Sequence, residues 1–215
     1  MTGRIALICA AFVLALAGVA SAAVLALDAD RITVLRIPGT VPVKTCTIGA
    51  VSDAYVDEAL PDAAAGTAPA LEVTAGPADR RAFVRFDVAG CSIPAGAEVR
   101  SAALAMVLAA APAEARNWKV QRVTDAWAGD VTWSTAPAVA AASTDTAATG
   151  IAAGATLQWN VLPDVADVVS GAALDRGWRI ADADETPVAP VGGALASSEA
   201  AAAGTRPTLT VTGFD

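Results

Sequence analysis

The sequence predicts an all-β protein: a jelly-roll-type antiparallel β-sandwich with one short helix, preceded by an apolar N-terminal signal or anchor helix. Three observations carry that prediction. Short period-two runs recur along the chain, among them Arg81-Ala82-Phe83-Val84-Arg85-Phe86-Asp87-Val88 and Val99-Arg100-Ser101-Ala102-Ala103-Leu104. Turn-forming Gly, Pro and Asp residues separate them at near-regular spacing. The hydrophobic content of 55% is rich in Ala, but that Ala is spread among Val, Thr, Gly and Pro without a sustained helical stripe.

Length and charge narrow the class further. The chain has 215 residues, room for one ordinary domain with a real core once a leader is set aside. A formal net charge of −8 argues against a nucleic-acid partner, because phosphate binding needs clustered cations. There is no His, which removes the commonest general base and zinc ligand together.

In chain order, Met1-Thr2-Gly3-Arg4 is a short positive start, residues 5–19 are apolar or small, and Ala20-Ser21-Ala22 has the form of a cleavage site. Residues 1–22 therefore read as a signal peptide. The alternative is an uncleaved anchor reaching residue 27, since Ala23-Val24-Leu25-Ala26-Leu27 extends the uncharged run. Both place the remainder outside the cytoplasm. Residues 23–44, with Pro38, Gly39 and Pro42, read as a lead-in or linker, and residues 45–215 as the folded domain. Cys46 and Cys91 are the pair left outside the leader, which favours a disulfide in an oxidising compartment, with two buried thiols as the alternative.

Strands are expected around Asp53-Ala54-Tyr55-Val56-Asp57 and Leu71-Glu72-Val73-Thr74, then over a central pair within residues 80–107. In the first member of that pair, Ala82, Val84, Phe86 and Val88 share a core face. Arg81, Phe83, Arg85 and Asp87 share a face for water or a ligand. Residues 138–155 read as a long surface loop. Leu157-Gln158-Trp159-Asn160-Val161 is a strand with Leu157, Trp159 and Val161 inward. Pro163 opens a short helix carrying Val165, Val168 and Val169, closed by Gly171. Gly177-Trp178-Arg179-Ile180 is a further strand, followed by an irregular acidic loop before Ala194.

The order of these pieces resembles DNRLRE domains, extracellular modules of bacteria and archaea also classed with the family 96 carbohydrate-binding modules. The similarity runs through Asp53-Ala54-Tyr55-Val56-Asp57, Arg81-x-Phe83-Val84-Arg85-Phe86-Asp87-Val88 and Ile93-Pro94-Ala95-Gly96-Ala97-x-Val99. It continues through Arg122-Val123-Thr124 with Trp127, Val131-Thr132-Trp133 with Pro137, Ser197-Ser198-Glu199 and Arg206-Pro207-x-Leu209-x-Val211. It covers residues 50–212. Where the family has an Asn-aromatic-Gly triplet, this chain has Ala64-Ala65-Gly66, so only the glycine remains, read as a turn requirement.

The resemblance implies a non-catalytic extracellular module binding polysaccharide at the cell surface or in the environment. The alternative is a structural cell-envelope, matrix or appendage component making protein–protein contacts. Tyr55, Phe83, Arg85, Trp118 and Trp178 are the candidate ligand-binding residues, since aromatic faces beside a guanidinium suit sugars and uronates; the plainer reading of each is packing. Asp53 and Asp57 are candidate calcium ligands, with Asp182, Asp184 or Glu199 as further candidates, against a plainer reading as solvated loop carboxylates. Arg122, Trp127, Trp133 and Glu199 are structural motif residues, with Glu199 expected to pair with Arg85 or Arg122. No catalytic residue is expected, because a Ser/His/Asp set needs His and no motif surrounds the carboxylates. No cofactor is required, with calcium optional. The expected partner is a polysaccharide or cell-envelope component, not nucleic acid, and a membrane only where the leader stays uncleaved.

Overall fold

The computed structural model describes residues 23–28, 31–36, 43–94 and 96–214. The signal peptide expected over residues 1–22 lies outside them. Two compact units separate at residue 42. In the first, β1 (Ala23–Asp28) and β2 (Arg31–Arg36) form an antiparallel hairpin where a lead-in was expected. Residues 23–27, the extension under the anchor alternative, are thus strand. Among the described residues no helix is long and apolar enough to cross a membrane.

The second unit is all-β and antiparallel with a single α-helix. Its strands are β3 (Val43–Gly49), β4 (Ser52–Asp57), β5 (Ala70–Ala75), β6 (Arg80–Arg85), β7 (Val99–Ala110), β8 (Asn117–Arg122), β9 (Asp145–Ala148), β10 (Thr156–Asn160), β11 (Trp178–Asp182), β12 (Val191–Ala196) and β13 (Thr208–Phe214). One layer is ordered β3-β13-β7-β10. The other is ordered β12-β5-β6-β11-β8-β9, with β4 on the far side of β6. The twelve-residue β7 joins them, pairing with β13 and β10 along its first part and with β12 at Leu108 and Ala110.

The core lies between the layers, and period-two alternation builds it. Leu71 and Val73, Ala82 and Val84, Leu104 and Met106, Trp118 and Val120, Leu157 and Trp159, Trp178 and Ile180, and Leu209 and Val211 all point into it. Two of the three core indoles find partners, while the buried Trp118 Nε1 has none among the described residues. Trp159 Nε1 donates to the Trp118 carbonyl at 2.9 Å, and Trp178 Nε1 donates to Asp164 at 2.8 Å. The helix α1 (Leu162–Ser170) starts with Pro163 in its first turn and stops at Gly171 in the left-handed region, as its sequence predicts. Arg122 holds it to β8 through Asp167 at 2.7 Å.

Three sequence expectations are corrected. The strands β6 and β7 do not pair with each other. The intervening residues form a 3-10 turn (Val88–Cys91) and cross between layers, so Val84 and Leu104 enter the same core from different layers. Residues 138–155 are not all loop, because Asp145–Ala148 adds an edge strand to β8. β12 stands where an irregular loop was expected. Its Gly192 lies so close to β5 that a Cβ there would come within 2.2 Å of the Val73 carbonyl oxygen.

Cys46 and Cys91 form the expected disulfide, with Cα atoms 5.6 Å apart and a sequence separation of 45. It ties β3 to the crossing segment. Closing such a loop stabilises the fold by about 4 kcal/mol in the chain-entropy treatment.

Candidate functional site

The face of β6 expected to meet water or a ligand is largely covered. Residues 123–139 fold back over β4 and β6, and Ala54, Val56, Phe83, Val123, Trp127 and Val131 make a second apolar cluster there. Phe83 is 1% exposed and stacks obliquely on Trp127 with ring centroids 5.7 Å apart. Trp127 Nε1 donates to the Arg176 carbonyl at 2.7 Å, and the Arg85 guanidinium sits 5.8 Å from the Trp127 ring. The strap is pinned from outside as well: Ser134 N donates to the Pro61 carbonyl, and a Cβ on Gly66 would strike the Gly129 carbonyl. Gly66 is therefore fixed by close backbone approach rather than by a turn conformation.

The expected ligand-binding set is accordingly dispersed. Trp118 and Trp178 are buried between the layers, because alternation along β8 and β11 turns them inward while Asn117, Lys119 and Arg179 turn outward. Phe83 is under the strap. Tyr55, half-buried, faces away from Ala54 and Val56 toward Glu72, Asp57 and Arg80. Burial and the Glu72 carboxylate push its hydroxyl above the usual range. Only Arg85 stays beside the strap face.

The carboxylates are dispersed too. Asp57 is held by Arg80 Nε at 2.7 Å and the Ala59 N–H at 2.8 Å. Asp53 is four residues away on the same strand, about 13 Å along it, and accepts the Ser198 N–H. One ion cannot bridge Asp53 and Asp57. Asp182 is bound by Arg116 through both oxygens, at 2.9 and 3.0 Å. Among the described residues there is no group of three or more His, Cys, Asp or Glu side chains suited to a metal. Glu199 pairs with neither Arg85 nor Arg122: Arg122 serves Asp167 and Asp164, and Glu199 accepts the Ser198 hydroxyl beside Asp53.

What the strap leaves open is a cationic floor on the outer face of β6, β11 and β8. Register places Arg179 between Phe83 and Gln121, and Ala181 beside Lys119. Arg81, two residues before Phe83 on β6, shares this face. Arg81 lies 4.5 Å over the Trp133 ring at the strap's edge. Glu185 reaches in from the loop after β11, 2.7 Å from Arg81 Nε and 4.0 Å from Lys119 Nζ, and Asp79 is 3.1 Å from Arg81. Arg179 differs from these. It donates through Nη2 to Gln121, whose own amide is fixed by the Ala140 carbonyl, and among the described residues it makes no salt bridge. Its Nε is buried and has no hydrogen-bond partner. Burial, then the nearby Arg81, lower its proton affinity, although a guanidinium stays charged at any ordinary pH. Trp178 stands in the expected ligand set and Arg179 does not, although alternation with a buried Trp178 turns Arg179 outward.

A second concavity, of about 380 Å³, lies on the outer face of the other layer, lined by Arg100, Ser101, Asp145, Gln158 and Asn160. Two of these serve local structure: Asp145 accepts the Asn160 N–H at 2.6 Å, and Asn160 Oδ1 accepts the Leu162 N–H at 3.1 Å.

Residues 44–213, most of the chain, match the family model of carbohydrate-binding module family 96. No curated protein matches the chain.

Proposed function

The chain belongs to carbohydrate-binding module family 96, and from that premise we propose that it binds an acidic polysaccharide outside the cell, as a non-catalytic module on a sandwich of jelly-roll type. The observation that carries this reading is Arg179, a half-buried guanidinium that makes no salt bridge among the described residues and feels Glu185, a carboxylate already shared by Arg81 and Lys119. A half-buried cation that lacks an ion-pair partner of its own is costly, and a uronate carboxylate supplies the missing charge. Arg81 and Lys119 flank it and share Glu185, so the floor keeps positive charge after its internal pairs are made.

The overall acidity of the chain does not oppose this, because charges more than about 8 Å away are largely screened at physiological salt. Trp133 at the rim offers an apolar edge for a sugar ring. An oxidising compartment is supported by the Cys46–Cys91 disulfide.

The test is titration calorimetry of the full chain with polygalacturonate, and with dextran as the neutral control. Polygalacturonate binds and dextran does not. Arg179→Gln keeps its unfolding midpoint near that of the parent and weakens polygalacturonate binding by about 10–100-fold, the worth of a charged hydrogen-bonded contact. Equal affinity for dextran, or full affinity in Arg179→Gln, overturns the reading and favours a structural role in protein–protein contacts.

A further inference from the structure

The turn that follows β12 meets β4 at a point where two carboxyl groups face each other. Asp53, on β4, is 2% exposed, and its Oδ2 accepts the Ser198 N–H at 2.7 Å across a sequence separation of 145. Its Oδ1 is buried and has no hydrogen-bond partner. Ser198 stands between Asp53 and Glu199, its N–H on Asp53 Oδ2 and its hydroxyl on the Glu199 carboxylate, with Glu199 on the solvent side. Glu199 Oε1 accepts the Ser198 hydroxyl at 2.9 Å, and the buried Ser197 hydroxyl accepts the Glu199 N–H at 3.1 Å. No Lys or Arg among the described residues forms a salt bridge with either carboxylate.

Two like charges this close, one of them shielded from water, cannot both stand uncompensated. Either a proton or a cation must sit between them. Every donor around the gap is oxygen: two carboxylates and two hydroxyls. That set suits a hard divalent cation and offers nothing to a softer one. The exposed side of Glu199 leaves room for the waters that complete a shell of six to eight oxygens.

We infer that Asp53 and Glu199, with the Ser197–Ser198 turn, hold a calcium ion that clasps β4 to the end of β12, Asp53 Oδ1 being the inner ligand and Glu199 the outer one. Asp57, the other carboxylate of β4, is no part of it, since Arg80 already neutralises that group. The inference is independent of the carbohydrate reading, because its readout is stability and metal affinity rather than sugar binding.

Burial, with Glu199 adding to it, pushes Asp53 up to about 7, so a proton competes for the same place and the metal is best tested above that value. The full chain, stripped with EDTA, is titrated with CaCl2 at about pH 8, following both the unfolding temperature and the heat of binding. Extracellular calcium modules bind at about 0.1–1 mM. At about ten times such a dissociation constant, calcium raises the unfolding temperature by about 3–6 °C. Asp53→Asn and Glu199→Gln both lose the shift and the binding heat. Glu199→Gln is the safer variant, since that side chain is exposed and its replacement leaves the core intact. Asp62→Asn, on an exposed loop, keeps the full response. No shift and no binding heat at about 10 mM calcium, or an undiminished response in Glu199→Gln, overturns the site and leaves a shared proton as the occupant of the gap.

Discussion

The two outer faces of the sandwich come from the same alternating pattern and end in opposite conditions. On β4, β6, β11 and β8 the outward positions are Val56, Phe83, Arg179 and Gln121, and a strap carrying Trp127 and Trp133 closes over half of them. On β3, β13, β7 and β10 the outward positions are Thr45, Thr47, Thr210, Thr212, Ala103 and Gln158, and no such strap from the described residues of this unit covers them. There Thr47 and Thr210 join hydroxyls at 3.0 Å, as do Thr45 and Thr212 at 3.1 Å. The contrast teaches that Phe83, though outward on its strand, belongs to packing. On the proposed reading, recognition falls to the cations that the packing leaves without a partner of their own.

Breaking the covered face has the largest expected effect. Trp127→Ala removes the lid over Phe83 and the hydrogen bond to Arg176, and costs about 3–5 kcal/mol in urea unfolding. A loss under 1 kcal/mol would mean that the strap rests on the sheet without stabilising it. The bare face depends instead on its staple. Replacing Cys46 and Cys91 together by Ser lowers stability by about 2–4 kcal/mol, and dithiothreitol reproduces that loss in the parent but adds nothing in the double variant. The smallest effect belongs to the bare face itself. Thr210→Val gives up one exposed hydroxyl contact and changes the unfolding free energy by about 0.5 kcal/mol or less. A larger change would show that the threonine rows are structural after all.

Most core strands, the short helix and the disulfide were legible in the sequence, because each follows from local alternation, capping or cysteine arithmetic, whereas β1, β2, β9 and β12 were not. Leu71 with Val73, Pro163 with Gly171, and Cys46 with Cys91 needed nothing beyond their neighbours or their number. The cover over Phe83 was not legible, since alternation assigns a residue to a face but does not say what lies on that face. For the same reason alternation alone groups Phe83 with the water-facing residues although it lies under the strap. The opposed layers of β6 and β7 were hidden by a connection whose Gly, Ser and Pro residues also suit a hairpin. Gly192 and Gly193 fall in the stretch expected as an irregular loop, although their missing side chains are what let β12 lie flush between β5 and β7. The Asp53–Glu199 encounter joins positions far apart in the chain, and nothing local announces it.

Pairing of the domain's first strand with its last has a mechanical consequence. Val43 stands opposite Phe214, so the polypeptide enters and leaves the sandwich at one corner. Tension applied through the two ends would not shear the sheet. It would unzip the pairs Val43 with Phe214, Lys44 with Gly213 and Thr45 with Thr212 in turn, each yielding at low force. At Cys46 the unzipping strand meets its covalent bond to Cys91 and can follow no further. Beyond that point the load passes to β13 against β7, and the disulfide serves as a stop that limits how far the module can be drawn open while its interior stays closed.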